Sequence, residues 1–131
     1  DERVLQRFDP GTAERVLFKT RREVDPARFP ESFAAPTPEL ARKLVDAGIL
    51  LVGTDAPSMD NFNSKTLDTH KVFTRAGVAL LENLVLNHVE PGEYTLIALA
   101  LRLTDADGSP VRAVLSTGNL DPRSSIRDPE P

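Results

Sequence analysis

The chain has 131 residues, 40% apolar and 27% charged, which is one domain's worth of sequence with enough apolar content for a buried core. A formal charge of -4, with six Phe, one Tyr and no Trp, leaves neither a basic stripe nor a stacking platform, so no nucleic-acid partner is expected. The longest apolar runs, such as Leu96 to Leu101, are far below bilayer length and no charged-then-apolar leader is seen, so the expectation is a soluble cytoplasmic protein with no membrane partner.

Along the chain, Asp9-Pro10-Gly11 signals a turn and Arg15 to Thr20 reads as a strand. Pro26, Pro30, Pro36 and Pro38 punctuate a stretch without helical or strand period, which is expected to be a surface loop. Thr37 offers an N-cap, Pro38 suits the first helical position, and Leu40, Ala41, Leu44 and Val45 form one apolar face before Gly48 stops the helix. Ile49 to Val52 then reads as a strand buried on both faces. Gly53 to Ser64 is a loop leaving the carboxyl end of that strand, where open sheets commonly bind ligands.

A short helix is expected from Thr66 to Ala76, with Leu67, His70 and Phe73 on its inner side and Gly77 ending it. Val78 to Leu86 and Tyr94 to Leu103 read as strands, and Asp105 to Gly108 turns the second into a last strand, Val111 to Leu115. The result is an α/β fold dominated by sheet. Residues 1–115 are read as part of one domain and 116–131, with no apolar period, as a C-terminal tail.

Zero cysteines exclude a disulfide framework, a thiolate zinc site and a cysteine nucleophile, so any metal needs His, Asp and Glu ligands. Only His70 and His88 are available as histidines, and His88 falls in a connection where exposure is expected. Glu82 interrupts an apolar run, Val78 to Leu81 before it and Leu84 to Leu86 after it, and a carboxylate so placed is costly unless a cation compensates it. The helix, the Gly77 turn and the following strand can fold Glu82 back to within reach of His70. A shared metal is one reading of the pair. The other is an ion pair of Glu82 with Arg75 or Arg102 and a surface position for His70. Asp68, two residues before His70, is either an acceptor that orients it or, more simply, an exposed helix-start aspartate. Ser58, Ser64 and Lys65 are read as loop capping and solvated residues rather than pocket lining.

Residues 49–115 carry four blocks in order, LVGTDAPSMD, SKTLDTHKVF, ALLENLVLNHVEPGEYTLIALALRLT and SPVRAVL. In sequence and spacing they resemble the bacterial kynurenine formamidase (arylformamidase) branch of the cyclase family of metal-dependent hydrolases, and four ordered blocks are far more specific than one short motif. The resemblance implies a mixed, barrel-like core with flanking helices of the swivelling β/β/α type. It implies a homodimeric amidase that hydrolyses N-formyl-L-kynurenine to L-kynurenine and formate in tryptophan degradation, with two zinc ions per subunit. His70 matches the family's downstream histidine ligand and Glu82 its metal-binding glutamate.

The family's HxGTHxDxPxH signature, which supplies the other ligands and the acid–base histidine, is absent, and the VGTDAP of residues 52–57 is a different block without a histidine. No catalytic residue is therefore carried over onto this chain. Together with a first residue that is Asp1 rather than Met, this reads as the downstream part of such an enzyme, expected to be inactive alone. The rivals are a related cyclic amide or lactone hydrolase of the same fold and a metal-free binding or scaffold remnant.

Overall fold

Residues 13–118 are described in a computed structural model, and they fall into two units divided after Val89. The first holds strand β1 (Arg15–Phe18), helix α1 (Pro38–Asp46), strand β2 (Leu51–Thr54), helix α2 (Asp68–Arg75) and strand β3 (Ala79–Leu81). Its three strands form one parallel sheet in the order β1-β2-β3, with Val16 opposite Val52 and Val52 opposite Leu80. Parallel neighbours need a crossover between them, and α1 and α2 lie in the two connections.

Helix α1 begins where the sequence places it, because the Thr37 hydroxyl accepts from the Leu40 N–H and Pro38 occupies the first turn. Both helices end on a glycine with positive φ, Gly48 at 81° and Gly77 at 72°. At each end the same pair of bonds closes the last carbonyls: Gly48 N–H to Val45 and Ile49 N–H to Leu44, Gly77 N–H to Thr74 and Val78 N–H to Phe73. This closure explains why β2 starts at Leu51 rather than Ile49. Ile49 is still engaged by the helix end, and Leu50 is 52% exposed instead of buried.

The core gathers Val16 from β1, Leu40, Ala41 and Leu44 from α1, Val52 from β2, Phe73 from α2 and Met59 from the loop after β2. Phe73 and Met59 are fully buried, each worth about 1.5–3 kcal/mol against exposure. At Gly53 a side chain would run into Leu17 and Leu84, so the absent Cβ lets these two leucines close over the middle strand. Just beyond it lies Asp55, wholly buried. Its carboxylate accepts from the Thr20 N–H at 2.9 Å, the Thr20 hydroxyl at 2.6 Å and the Arg21 N–H at 2.9 Å, while its carbonyl accepts from the Arg21 guanidinium. A buried carboxylate with its donors in place ties the end of β1 to the end of β2.

Two expectations need correction. The strand over Val78 to Leu86 is only the three residues Ala79–Leu81. Asn83 adopts φ 58°, which leaves the ladder, and the N–H groups of Asn83 and Leu84 bond instead to the carbonyls of Ala56 and Thr54. The second concerns the barrel-like core: no sheet closes on itself among the described residues, since the parallel sheet has three strands and the other sheet two. The mixed α/β character stands.

The second unit is an antiparallel hairpin of β4 (Thr95–Ala100) and β5 (Val111–Ser116), with Ile97 opposite Val114 and Leu99 opposite Arg112. β4 is shorter than the expected Tyr94 to Leu103, β5 starts at Val111 as expected and runs one residue further to Ser116, and Asp105 takes a positive φ of 57° within the connection. Of the expected tail, residues 119–131 lie outside the described residues, as does the turn expected at Asp9-Pro10-Gly11. No helix among the described residues is long and apolar enough to cross a membrane.

Two substitutions test this account of the fold by urea unfolding. Thr37→Ala should cost about 1 kcal/mol, the worth of a lost N-cap. Asp55→Ala should cost about 3 kcal/mol or more, because it removes a wholly buried carboxylate that accepts three hydrogen bonds from Thr20 and Arg21 at once. Equal, small losses for both would contradict the role given to Asp55.

Candidate functional site at the carboxyl ends of the parallel strands

Strand β2 delivers the chain into the loop Asp55 to Asp60, and β3 ends one residue before Glu82, so both reach the same end of the parallel sheet. Met59 anchors the loop by burying its side chain in the core, which leaves its N–H to donate to Glu82 Oε1 at 2.7 Å. The next residue, Asp60, points its carboxylate at the start of α2.

That helix needs it. The residue at its N-cap is Leu67, held in the left-handed region at φ 52° and without any side-chain cap bond. Asp60 supplies the missing acceptors from across the loop, Oδ1 taking the Thr69 N–H at 2.9 Å and Oδ2 the His70 N–H at 3.0 Å. A carboxylate on the first-turn N–H groups also meets the positive end of the helix dipole. Oδ2 further lies 2.5 Å from His70 Nδ1. Burial works to raise the Asp60 pKa, but the hydrogen bonds from the His70 ring and from the Thr69 and His70 N–H groups outweigh it, so the carboxyl sits below its ordinary value and is ionised.

On the other side of the ring, His70 Nε2 lies 3.1 Å from Glu82 Oε1. The imidazole is thus held between two carboxylates, with His70 and Glu82 side chains 25% and 30% exposed and Asp60 only 5%. With Asp60 ionised, Nδ1 is placed to donate to it, and in the neutral ring Nε2 is then a lone pair facing a carboxylate oxygen. Two acceptors at that distance repel unless a cation lies with them. A proton on Nε2 or a metal ion satisfies the geometry.

The two residues singled out from sequence therefore meet, and among the described residues Glu82 makes no ion pair with Arg75. His70 is half-buried rather than on the surface, and the innermost residues of α2 are Thr69 and Phe73, while Leu67 is exposed. His88 is exposed, as expected. Asp68 bonds Thr66 at 2.7 Å from an exposed position and does not orient His70. That task belongs to Asp60, which sequence reasoning missed although it is the last residue of the LVGTDAPSMD block. Ser58 and Ser64 accept from the Asp60 and Leu67 N–H groups, which is the loop-capping use expected of them, although both also line a cleft beside Asp60.

Imidazole nitrogen and carboxylate oxygen suit zinc, and a carboxylate on the far ring nitrogen is the usual support of a metal-binding histidine. The number of donors is short: among the described residues no group of three or more His, Cys, Asp or Glu is arranged to hold a metal. The donor types fit zinc, but their number among the described residues is short of a full site.

No family model matches the chain. It is similar to the kynurenine formamidase of Paracidovorax citrulli, 48% identical over 108 residues that make up 82% of this chain and 50% of the relative. The kynurenine formamidase of Salinibacter ruber is 46% identical over 112 residues, 85% of this chain and 53% of the relative. Among solved structures, one described as a predicted metal-dependent hydrolase from Bacillus stearothermophilus superposes with a TM-score of 0.66 at 34% identity, over 76% of this chain and 47% of that one. Another, described as a potential metal-dependent hydrolase with cyclase activity, gives 0.57 at 35% identity over 60% and 39%. The resemblance carried by the four sequence blocks thus holds over most of the chain, and the chain spans about half the length of the curated relatives it matches.

If Asp60 caps α2 and Asp68 does not, their alanine variants should differ. Asp60→Ala should lower stability by about 2–3 kcal/mol, losing a cap and leaving the buried Thr69 N–H and the half-buried His70 N–H without their acceptor. Asp68→Ala should stay below about 1 kcal/mol, the range of an exposed first-turn charge. Thermal melts followed by circular dichroism read both, and the reverse order would refute the assignment.

Proposed function

We propose, starting from this similarity to the kynurenine formamidases, that His70 and Glu82 are metal ligands in a zinc-dependent hydrolase that converts N-formyl-L-kynurenine to L-kynurenine and formate in tryptophan degradation. One observation carries the reading: His70 Nε2 and Glu82 Oε1 are aimed at each other 3.1 Å apart, with Nδ1 already engaged by Asp60. His70 would bind through Nε2 and Glu82 through its carboxylate. A divalent metal held there acidifies water and draws charge from a scissile carbonyl, which is what hydrolysis of an unactivated amide needs.

The residues of this chain do the positioning. Asp60 fixes the ring and its tautomer, and a negative partner on Nδ1 makes Nε2 a stronger donor to a cation. The Met59 N–H holds Glu82 Oε1, so that the carboxylate does not swing into solvent through its exposed side. With two donors present, a two-zinc centre takes its other ligands from the rest of the longer protein, in a segment of the HxGTHxDxPxH type. The same longer protein is proposed to be a cytoplasmic homodimer with the swivelling β/β/α architecture of the cyclase family. The structural relative described as having cyclase activity favours one second reading, hydrolysis of a cyclic amide or lactone at the same pair.

In the whole protein, Glu82→Gln should lower zinc per subunit and turnover of N-formylkynurenine together, by about tenfold or more, with little change in melting temperature, because the amide keeps the shape but loses the charge that binds the metal. Elemental analysis, a formate-release assay and a melt on one preparation give all three values. Normal zinc with normal turnover ends the assignment, and a lower melting temperature with unchanged activity per folded molecule makes the pair structural. The 131-residue chain alone, checked by mass, should release no measurable formate, since two donors do not retain the metal.

A further inference from the structure

The residue that follows Glu82 has an uncommon backbone. Asn83 lies in the left-handed region at φ 58°, where Cβ crowds the following carbonyl and where glycine, and after it asparagine, is best tolerated. Its side chain is exposed, and among the described residues its amide has no hydrogen-bond partner. What the fold uses at this position is the main chain. In a regular parallel pairing alternate N–H groups reach a given neighbour. At Asn83 that alternation breaks: its N–H donates to the Ala56 carbonyl at 2.9 Å and the very next one, of Leu84, to the Thr54 carbonyl at 3.0 Å. Two consecutive donors thus face the same neighbouring segment, in the manner of a β-bulge whose left-handed residue turns the chain.

The turn has two consequences. Leu84 is buried and closes over Gly53. The peptide joining Glu82 to Asn83 is fastened to Ala56, in the same loop whose Met59 N–H holds Glu82 Oε1 at 2.7 Å. Main chain and carboxylate are therefore tied to one loop from two directions. We propose that Asn83 is a positioning residue whose left-handed backbone aims the Glu82 carboxylate at the Met59 N–H and at His70. The effect on metal binding rests on the hydrolase reading, whereas the aim itself does not. With extended backbone at Asn83, one of the two N–H groups loses its carbonyl and Glu82, already 30% exposed, swings away from Met59. A carboxylate free to turn into water is the weaker ligand, because ordering it is then charged to the binding step.

The test compares Asn83→Gly with Asn83→Val in the whole protein, since glycine keeps the left-handed backbone without the amide while a β-branched side chain opposes it. Two readings are taken: the Met59 amide proton by NMR on metal-free protein, and the zinc dissociation constant by competition with a chromogenic chelator. Glycine should leave the Met59 resonance in place and the zinc constant within about twofold. Valine should move the Met59 resonance to that of an amide without a carboxylate partner and weaken zinc about five- to thirtyfold, the left-handed cost of about 1–2 kcal/mol converted at about 1.4 kcal/mol per tenfold. Asn83→Ala carries the same comparison where the valine variant does not fold. The proposal is overturned if glycine and valine act alike, which assigns the effect to the lost amide, or if valine lowers the melting temperature while the Met59 resonance and zinc affinity stay as they were. A wild-type protein that takes up no zinc removes the hydrolase reading, and the Met59 resonance in the two variants still decides the role of Asn83.

Discussion

Everything at the functional end of the sheet hangs on the carboxylate of Asp60. Two of its contacts are backbone N–H groups of a helix whose own N-cap position holds a leucine in the left-handed region, and the third is the Nδ1 edge of His70. One side chain therefore starts the helix and aims the ring that the helix carries. The arrangement couples stability to function directly. Any change that releases Asp60 loosens the first turn of α2 and the orientation of His70 together, so the two effects are not separable at that position.

Upstream of this carboxylate is a set of packing constraints that place it. Met59 buries fully, which fixes the loop by one residue on either side and turns its N–H toward Glu82. The missing side chain at Gly53 lets Leu17 and Leu84 meet across the middle strand, and the left-handed Asn83 ends β3 so that Glu82 leaves the ladder at the carboxyl end of the sheet. Parallel strands direct their carboxyl ends to one side, and loops there are free to carry polar groups that the sheet itself excludes. Asp55 supports the same edge by tying β1 to the bend after β2.

Much of this was legible in the sequence because local chemistry and period agree. Thr37, Pro38 and the glycines after each helix mark α1 and α2 through groups that act within a few residues. His70 and Glu82 were legible because a carboxylate in an apolar run and a histidine on a short helix are each unusual, and the turn between them has a fixed reach. Asp60 was not, because its partners lie nine and ten residues away and its role depends on a leucine taking φ 52°, which no local signal announces. Asp68 looked closer to His70 by counting alone, yet a residue two positions away on a helix points to a different side. The length of β3 was overestimated for a related reason: the apolar alternation of Leu84 and Leu86 persists in buried positions after the hydrogen-bond ladder has stopped. The barrel-like closure belonged to the family resemblance and not to any pattern in these residues.

The central claim is that the His70–Glu82 gap holds a metal rather than a proton, and crystallography on the whole protein at the zinc absorption edge reads it most directly. The account requires an anomalous peak between the two side chains at about 2.0–2.2 Å from His70 Nε2 and from a Glu82 oxygen, with Asp60 retained on Nδ1. A zinc-soaked crystal with no such peak, and with Nε2 still in direct contact with Glu82 at the 3.1 Å seen here, would contradict it and make the triad a protonated histidine clamped between two carboxylates.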